Sequence, residues 1–244
     1  MPTWDPQRYL EFADERSRPF VDLGCGPGQL TATLAQRWPR AEITGIDSSP
    51  EMIARAEQHA GPRLAFAVGD LTRWVPAQPV DVVVSNAALQ WVPGHRDLLP
   101  QLVDTLVPGG WLAFQVPGNF DEPSHRLLHE LAGRDPYREH AGGLDRPASD
   151  DPVDYLAELA ALGCTVDAWE TTYLHVLTGP DPVFRWISGT GARPVLQALP
   201  DALRPAFEEE YRERLRAAYP DRGFGTVLPF RRIFVVARRD GGAR

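Results

Sequence analysis

Three acids and one glycine turn stand where a nucleoside would need them. Asp22 precedes Gly24-Cys25-Gly26-Pro27-Gly28, Asp47 closes the next apolar run, and Asp70 the one after it. Glycine lets a chain turn sharply and brings bare backbone against a ligand where a Cβ would clash. A carboxylate at the tip of the second strand can accept hydrogen bonds from both ribose hydroxyls. The competing role for Asp47 is to cap the helix that Ser49 and Pro50 open. The glycine loop carries no basic residue to neutralise a pyrophosphate, and Pro27 removes one backbone donor. The crevice therefore suits a nucleoside that carries positive charge and no phosphate.

These residues need an open parallel sheet to bring them together. Apolar runs at 21–23, 41–46, 63–68, 79–85 and 111–116 alternate with helical patterns at 29–36, 52–60 and 96–106. Such alternation predicts right-handed crossovers, with the strand C-termini converging on one edge. Asp22, Asp47, Asp70 and Asn86 then line one crevice. Val107-Pro108-Gly109-Gly110 reads as a helix stop. Beyond Pro117 the pattern changes: helices at 124–132 and 152–162 flank a Gly, Asp and Pro-rich loop at 141–151. A long strand at 165–177, a largely helical stretch at 182–219 and a closing strand at 227–238 follow. The two late strands predict a hairpin that completes the sheet. The expectation is one α/β domain over residues 1–244, with helical cap segments near 120–163 and 181–219.

Composition narrows the partners. The chain has 244 residues and a net charge of −8, which argues against nucleic acid or an anionic membrane as partner. All 25 basic residues are arginine, so lysine Schiff-base chemistry is excluded. The two cysteines, Cys25 and Cys164, fit a reduced cytoplasmic protein. No spacing of Cys or His predicts a metal site, and no apolar run reaches the length of a membrane span. The N-terminus lacks a basic region followed by an apolar run, so no secretory leader is expected.

With these residues in view, the chain resembles a known family. Asp22-Leu-Gly-Cys-Gly-Pro-Gly28, Asp47 and Gly69-Asp70-Leu71 are similar to the motifs of class I S-adenosylmethionine-dependent methyltransferases. Trp4-Asp-Pro, Arg37-Trp-Pro39, Asp47-Ser-Ser-Pro-Glu-Met52, Ser85-Asn-Ala-Ala-Leu-Gln-Trp-Val-Pro93 and Gln115-Val-Pro-Gly-Asn-Phe120 resemble the trans-aconitate methyltransferases within that class. Trp169-Glu-Thr-Thr-Tyr-Leu-His175 and Pro229-Phe-Arg-Arg232 carry the similarity almost to the C-terminus. The resemblance implies a Rossmann-like sheet, mostly parallel with an antiparallel C-terminal strand, helices on both faces and a helical cap.

It also implies residue roles. Gly24, Cys25, Gly26 and Gly28 would hold the methionine moiety of S-adenosylmethionine, and Asp47 the ribose. Asp70 and Leu71 would meet adenine, with Ser48 and Met52 flanking ribose and adenine. Asn86, Ala87 and Gln90 would lie on the sulfonium side. The acceptor implied is a small polycarboxylate, trans-aconitate, methylated on one carboxylate. Tyr9, Trp91, His95, Arg231 and Arg232 are the candidate substrate-binding residues, with Arg18, His125 and His175 as further donors. Arginine suits bidentate recognition of carboxylates. No general base is required, because a carboxylate with a reference pKa near about 4 is already an anion at neutral pH. Cys25 fits its place by size, and Trp38 and Trp169 fit as packing residues.

The chain departs from the family pattern at one place. Phe20 runs directly into Val21, where family members carry a further helix before the first strand, and the stretch at 141–151 is short. The alternatives are a carboxyl methyltransferase for another free acid or an acyl-carrier thioester acid, and a cofactor-binding relative without turnover.

Overall fold

The computed structural model describes residues 19–241. The elements in chain order are β1 (Pro19–Leu23), α1 (Gln29–Arg37), β2 (Glu42–Asp47), α2 (Pro50–Ala56), β3 (Leu64–Val68), β4 (Val80–Asn86), α3 (Leu99–Asp104) and β5 (Leu106–Pro117). They continue with α4 (Pro123–Ala132), α5 (Arg138–Ala141), α6 (Pro152–Ala161), β6 (Cys164–Leu177), α7 (Pro182–Ser188), α8 (Arg193–Ala198), α9 (Arg204–Ala218) and β7 (Thr226–Arg239). Expectations that fall on Tyr9 and Arg18 lie outside the described residues.

The seven strands form one sheet in the order β3-β2-β1-β4-β5-β7-β6. The pairs joining β3 through β5 are parallel, and β7 runs antiparallel to both β5 and β6. Chain connections leave β1 towards β2 on one side, and β4 lies on the other. That reversal of winding opens a crevice beyond the carboxyl end of β1, where α/β sheets bind ligands.

Strand alternation sorts the side chains onto two faces. Leu23, Val83, Leu112, Val116, Ile233 and Val235 are buried on one face, under Leu99 and Leu102 of α3 and Tyr155 and Leu159 of α6. Phe20, Ile43 and Phe66 pack on the opposite face with Ile53 and Ala56 of α2. Burial of each such side chain contributes about 1.5–3 kcal/mol. The cap has its own core, in which Leu128, Leu131, Phe184, Ile187, Phe207, Tyr211 and Leu215 pack together with Leu228 of β7. Tyr211 donates to the carbonyl of Ser124 at 2.6 Å, and the Ser124 N–H donates to the Tyr219 hydroxyl at 3.0 Å, so α9 is tied to the start of α4.

Two elements differ from the sequence pattern. The helix expected over 96–106 begins as a 3-10 turn at His95–Leu98 and becomes α-helical at Leu99, where Pro100 occupies the first turn. Proline lacks an N–H and is accommodated where no intrahelical bond is due. The Val107–Gly110 stop lies within β5, because Leu106 pairs with Val80 ahead of a register shift. Gly109, at φ 81°, absorbs that irregularity. The short helix α5 was not expected.

His125 is buried at the root of the cap, edge-on to Phe120 at 5.4 Å, with Nδ1 3.2 Å from the Ser124 hydroxyl. Burial, with a smaller contribution from His129, pushes its pKa down to about 4. Between pH 6.5 and 4 the unfolded chain therefore takes up a proton that the folded chain refuses, and folding weakens as pH falls. His125→Phe is expected to flatten this dependence. The check is denaturant unfolding of both proteins at pH 7, 6, 5 and 4, with an equal slope in the variant as the contrary result.

Candidate functional site

The crevice is assembled by backbone hydrogen bonds before any ligand is considered. The N–H groups of Gly24 and Cys25 both donate to the carbonyl of Ile46, at 2.7 and 3.0 Å, and so fasten the glycine turn to the end of β2. Asp47 completes the fastening: Oδ2 accepts from Gly26 N and Oδ1 from Ser49 N, each at 2.9 Å. The capping role belongs to Ser49, whose Oγ accepts from Met52 N at 3.2 Å. Asp47 thus joins loop to helix, and its oxygens retain lone pairs for a ligand.

Glycine is required at two places in this turn. Gly24 sits at φ 77°, and a Cβ there would overlap the Cβ of Ala88 in the loop after β4. Gly28 sits at φ 80°, with Ala56 and Phe66 each 2.9 Å from where its Cβ would lie. The turn is pressed between the loop after β4 on one side and α2 with β3 on the other.

A cavity of about 560 Å³ opens over this turn. Gly24, Cys25, Gly26, Asp47, Ser48, Met52, Asp70, Leu71, Asn86 and Ala87 all line it, as does Trp91, and among the described residues no arginine or histidine lines it. Gly28 does not line the cavity and acts in packing below it. Gln90 is buried beneath, donating from Nε2 to the Ala87 carbonyl at 2.5 Å, while its Oε1 has no partner among the described residues. Ala87 is held at φ 54°, a conformation costly for a residue with a Cβ, and its N–H donates to Gln115 O at 2.9 Å. The strain is localised where the cavity meets the end of β4.

The charges follow from burial. Asp22 accepts a 2.7 Å hydrogen bond from Thr31, yet burial, with Asp47 adding to it, pushes its pKa up to about 6. The same burial, together with Asp22 and Asp47, pushes the Cys25 thiol up to about 12, so it remains a protonated, unreactive thiol. Asp70 is exposed, and hydrogen bonds from the side chain and backbone of Thr72 hold its carboxyl below the usual range.

The remaining candidates are dispersed. Tyr9 lies outside the described residues. His95 is buried against Tyr155, with Nε2 2.7 Å from the hydroxyl, and burial lowers its pKa; it braces the turn before α3 onto α6. Arg231 is bound by Glu170 and by Asp151, the latter at 2.6 Å. Arg232 points to the other face of β7, over Tyr173 and Phe230. Two buried amides, Gln115 and Asn119, were missed; each carries one polar atom without a partner, Nε2 and Oδ1 respectively. The available signal was a glutamine inside the apolar run Trp111-Leu-Ala-Phe-Gln-Val116. Gly24→Ala is expected to destabilise the fold by about 1–3 kcal/mol through overpacking against Ala88. Thermal unfolding checks this, and an unchanged midpoint would contradict the contact.

Comparison with known proteins agrees with this geometry. A family model described as a methyltransferase domain matches residues 20–110. The trans-aconitate 2-methyltransferase of Streptomyces avermitilis is 53% identical over 264 aligned positions, which cover 98% of each chain. Those of Rhodococcus jostii and Mycobacterium tuberculosis are 49% and 47% identical, covering 96% and 99% of this chain and 99% and 98% of their own. The 264 positions exceed the 244 residues of this chain, so it lacks internal segments that the Streptomyces relative has. Among solved structures, YcgJ from Bacillus subtilis superposes with a TM-score of 0.61 at 14% identity, covering 97% of this chain and 98% of that one. The plantazolicin methyltransferase BpumL reaches 0.53 at 16% identity, over 96% and 80% of the two chains. Both share the fold. The near full-length identity goes further: the chain belongs to the trans-aconitate 2-methyltransferase family.

Proposed function

We propose that this protein transfers a methyl group from S-adenosylmethionine to one carboxylate of trans-aconitate, giving a monomethyl ester and S-adenosylhomocysteine. The observation that carries this reading is the 47–53% identity to enzymes of that name over nearly the whole chain.

The residues present fit the cofactor. The glycine turn leaves a cradle that a Cβ at Gly24 would close, and among the described residues the lining supplies carboxylates and no cation to oppose a sulfonium. Gly24, Cys25 and Gly26 would face the methionine tail, with Asp22 opposite its ammonium group. Asp47, with Ser48, would hold the ribose. Met52, Asp70 and Leu71 would enclose adenine, and Asn86 and Ala87 would border the sulfur. Gly28 and Gln90 act from beneath, by packing and by bracing Ala87. The cofactor supplies an electrophilic methyl group on a sulfonium.

The chain's own task is then positioning. The acceptor carboxylate needs no general base. With the cofactor bound, a carboxylate oxygen held in line would take the methyl group while the S–C electron pair stayed on sulfur, so these residues would have no proton to move. Alignment of this kind can lower a barrier by about 7–11 kcal/mol. Trp91, at the cavity and 48% exposed, would form one wall for the acceptor. Sheet and cap are read as one functional domain, because β7 contributes Leu228 to the cap core and Ile233 and Val235 to the sheet core. A cytoplasmic setting is supported by two free buried cysteines. Among the described residues no helix is long and apolar enough to cross a membrane.

The direct test is transfer of labelled methyl from S-adenosylmethionine to trans-aconitate, with the ester identified by mass. Normal cofactor binding without methylation of any aconitate isomer at millimolar concentration would overturn the acceptor assignment. Asp47→Ala is expected to weaken S-adenosylhomocysteine binding by roughly 1.5–3 kcal/mol, the worth of hydrogen bonds to a charged group. Titration calorimetry measures it, and unchanged affinity would leave Asp47 a purely structural tie. Asp22 binds an ammonium group only when ionised, so affinity is expected to fall as pH drops through about 6. Asp22→Asn should bind more weakly at pH 7.5 and lose that pH dependence; a profile with the wild-type shape would contradict the role.

A further inference from the structure

Arg231 and Arg232 are neighbours in sequence, and the pleat sends them to opposite faces of β7. Arg231 is already neutralised by Glu170 and Asp151. Arg232 has no carboxylate partner among the described residues. Its guanidinium lies 5.3 Å from the ring centre of Phe230 and 5.8 Å from that of Tyr173, and Nη1 donates a long 3.4 Å hydrogen bond to Gln115 Oε1. A guanidinium over aromatic rings keeps its charge and its edge of N–H donors while its orientation is restricted.

Gln115 links this cation to the cofactor cavity. It pairs across the sheet with Asn86, which lines the cavity, and its carbonyl receives the N–H of Ala87. The residue is 6% exposed, and its Nε2 has no partner among the described residues. A buried donor left unpaired is costly and rare, which marks a place completed by something else. His175 repeats the pattern. Its ring packs 5.9 Å from Phe230 and 6.4 Å from Tyr173, the same two rings that carry Arg232, and its Nε2 is likewise buried without a partner among the described residues. One permanent cation and one unpaired ring nitrogen therefore share the aromatic collar of Tyr173 and Phe230, and the amide that the cation touches carries a second unpaired nitrogen, on the sheet face that leads to Asn86.

We infer that this collar is a distal carboxylate subsite: Arg232, steered by Gln115 and walled by Tyr173 and Phe230, grips a carboxylate of the substrate other than the one methylated. The inference rests on the proposed polycarboxylate acceptor and explains how such an acceptor is told from a simple acid. The planar fork of arginine binds a carboxylate through two parallel hydrogen bonds, which fixes the rest of the molecule relative to the methyl group. Gln115 is a positioning residue in this arrangement, since it acts by orienting the guanidinium.

The experiment is steady-state methylation of trans-aconitate by the wild-type protein, Arg232→Met and Arg232→Lys, with S-adenosylhomocysteine affinity and the thermal midpoint measured in parallel. Arg232→Met is expected to raise KM for trans-aconitate roughly 10- to 100-fold, as loss of hydrogen bonds to a charged group implies. Its kcat and its cofactor affinity should stay within about threefold of wild type. Arg232→Lys keeps a charge without the fork and should fall between the two; it carries the test if the methionine variant fails to fold. Calorimetric binding of trans-aconitate to the S-adenosylhomocysteine complex should weaken in the same order. Wild-type turnover with an unchanged KM in either variant overturns the subsite alone. A loss confined to cofactor affinity or thermal stability overturns it too, since that is the mark of a structural role. Absence of wild-type turnover on trans-aconitate overturns the acceptor reading and this inference together.

Discussion

The carbonyl of Ile46 holds this site together. It accepts from two successive N–H groups, Gly24 and Cys25, and so binds the turn after β1 to the end of β2. Asp47, the next residue, repeats the connection through its side chain to Gly26 and Ser49. Four donors, three from the glycine turn and one from the start of α2, thereby converge on two adjacent residues. The arrangement works only because Gly24 has no Cβ where Ala88 stands. With a side chain there, the turn and the loop after β4 could not approach, and the cavity between them would lose its floor.

The far side of the cavity is built differently. Ala87 is held at positive φ by its own N–H to Gln115 and by Gln90 beneath its carbonyl. Both braces are buried glutamines, and each has a polar atom that the described residues leave unpaired. Burial likewise drives Asp22 upward in pKa, although Thr31 donates to it. The rim therefore carries local costs that the packed sheet below must offset, a common feature of sites prepared for a ligand. The cap adds a second core, and β7 runs through both, so residues of the hairpin are held in fixed relation to the cofactor edge.

Much of this was legible along the chain. Strands alternating with helices through Val116 and the late hairpin follow from local chemistry, and the parallel part of the sheet matches the α/β expectation. Less legible were Val107–Gly110, where local residues signal a stop but pairing of Leu106 with Val80 carries the strand through, and the 3-10 entry to α3. In both, a long-range contact or the placement of one proline outweighed the local pattern. The cofactor edge could be read because every part lies in a short motif at a strand end: the glycine turn, Asp47, Asp70 and Asn86-Ala87.

The substrate side could not be read that way. Arg231 and Arg232 are alike in type and adjacent in sequence, and His95 sits in a motif beside Trp91. Only the sheet decided that one arginine faces Glu170 and Asp151 while the other faces Gln115, and only packing with α6 turned His95 onto Tyr155. The sequence by itself determined which elements form and which residues meet at the end of β1, since those depend on local turns and on strands converging at one edge. The tertiary structure alone decided which of the two adjacent arginines stays without a carboxylate among the described residues and which amides stay unpaired there, because the polar partners of Arg231 and Arg232 lie 61 to 117 residues away.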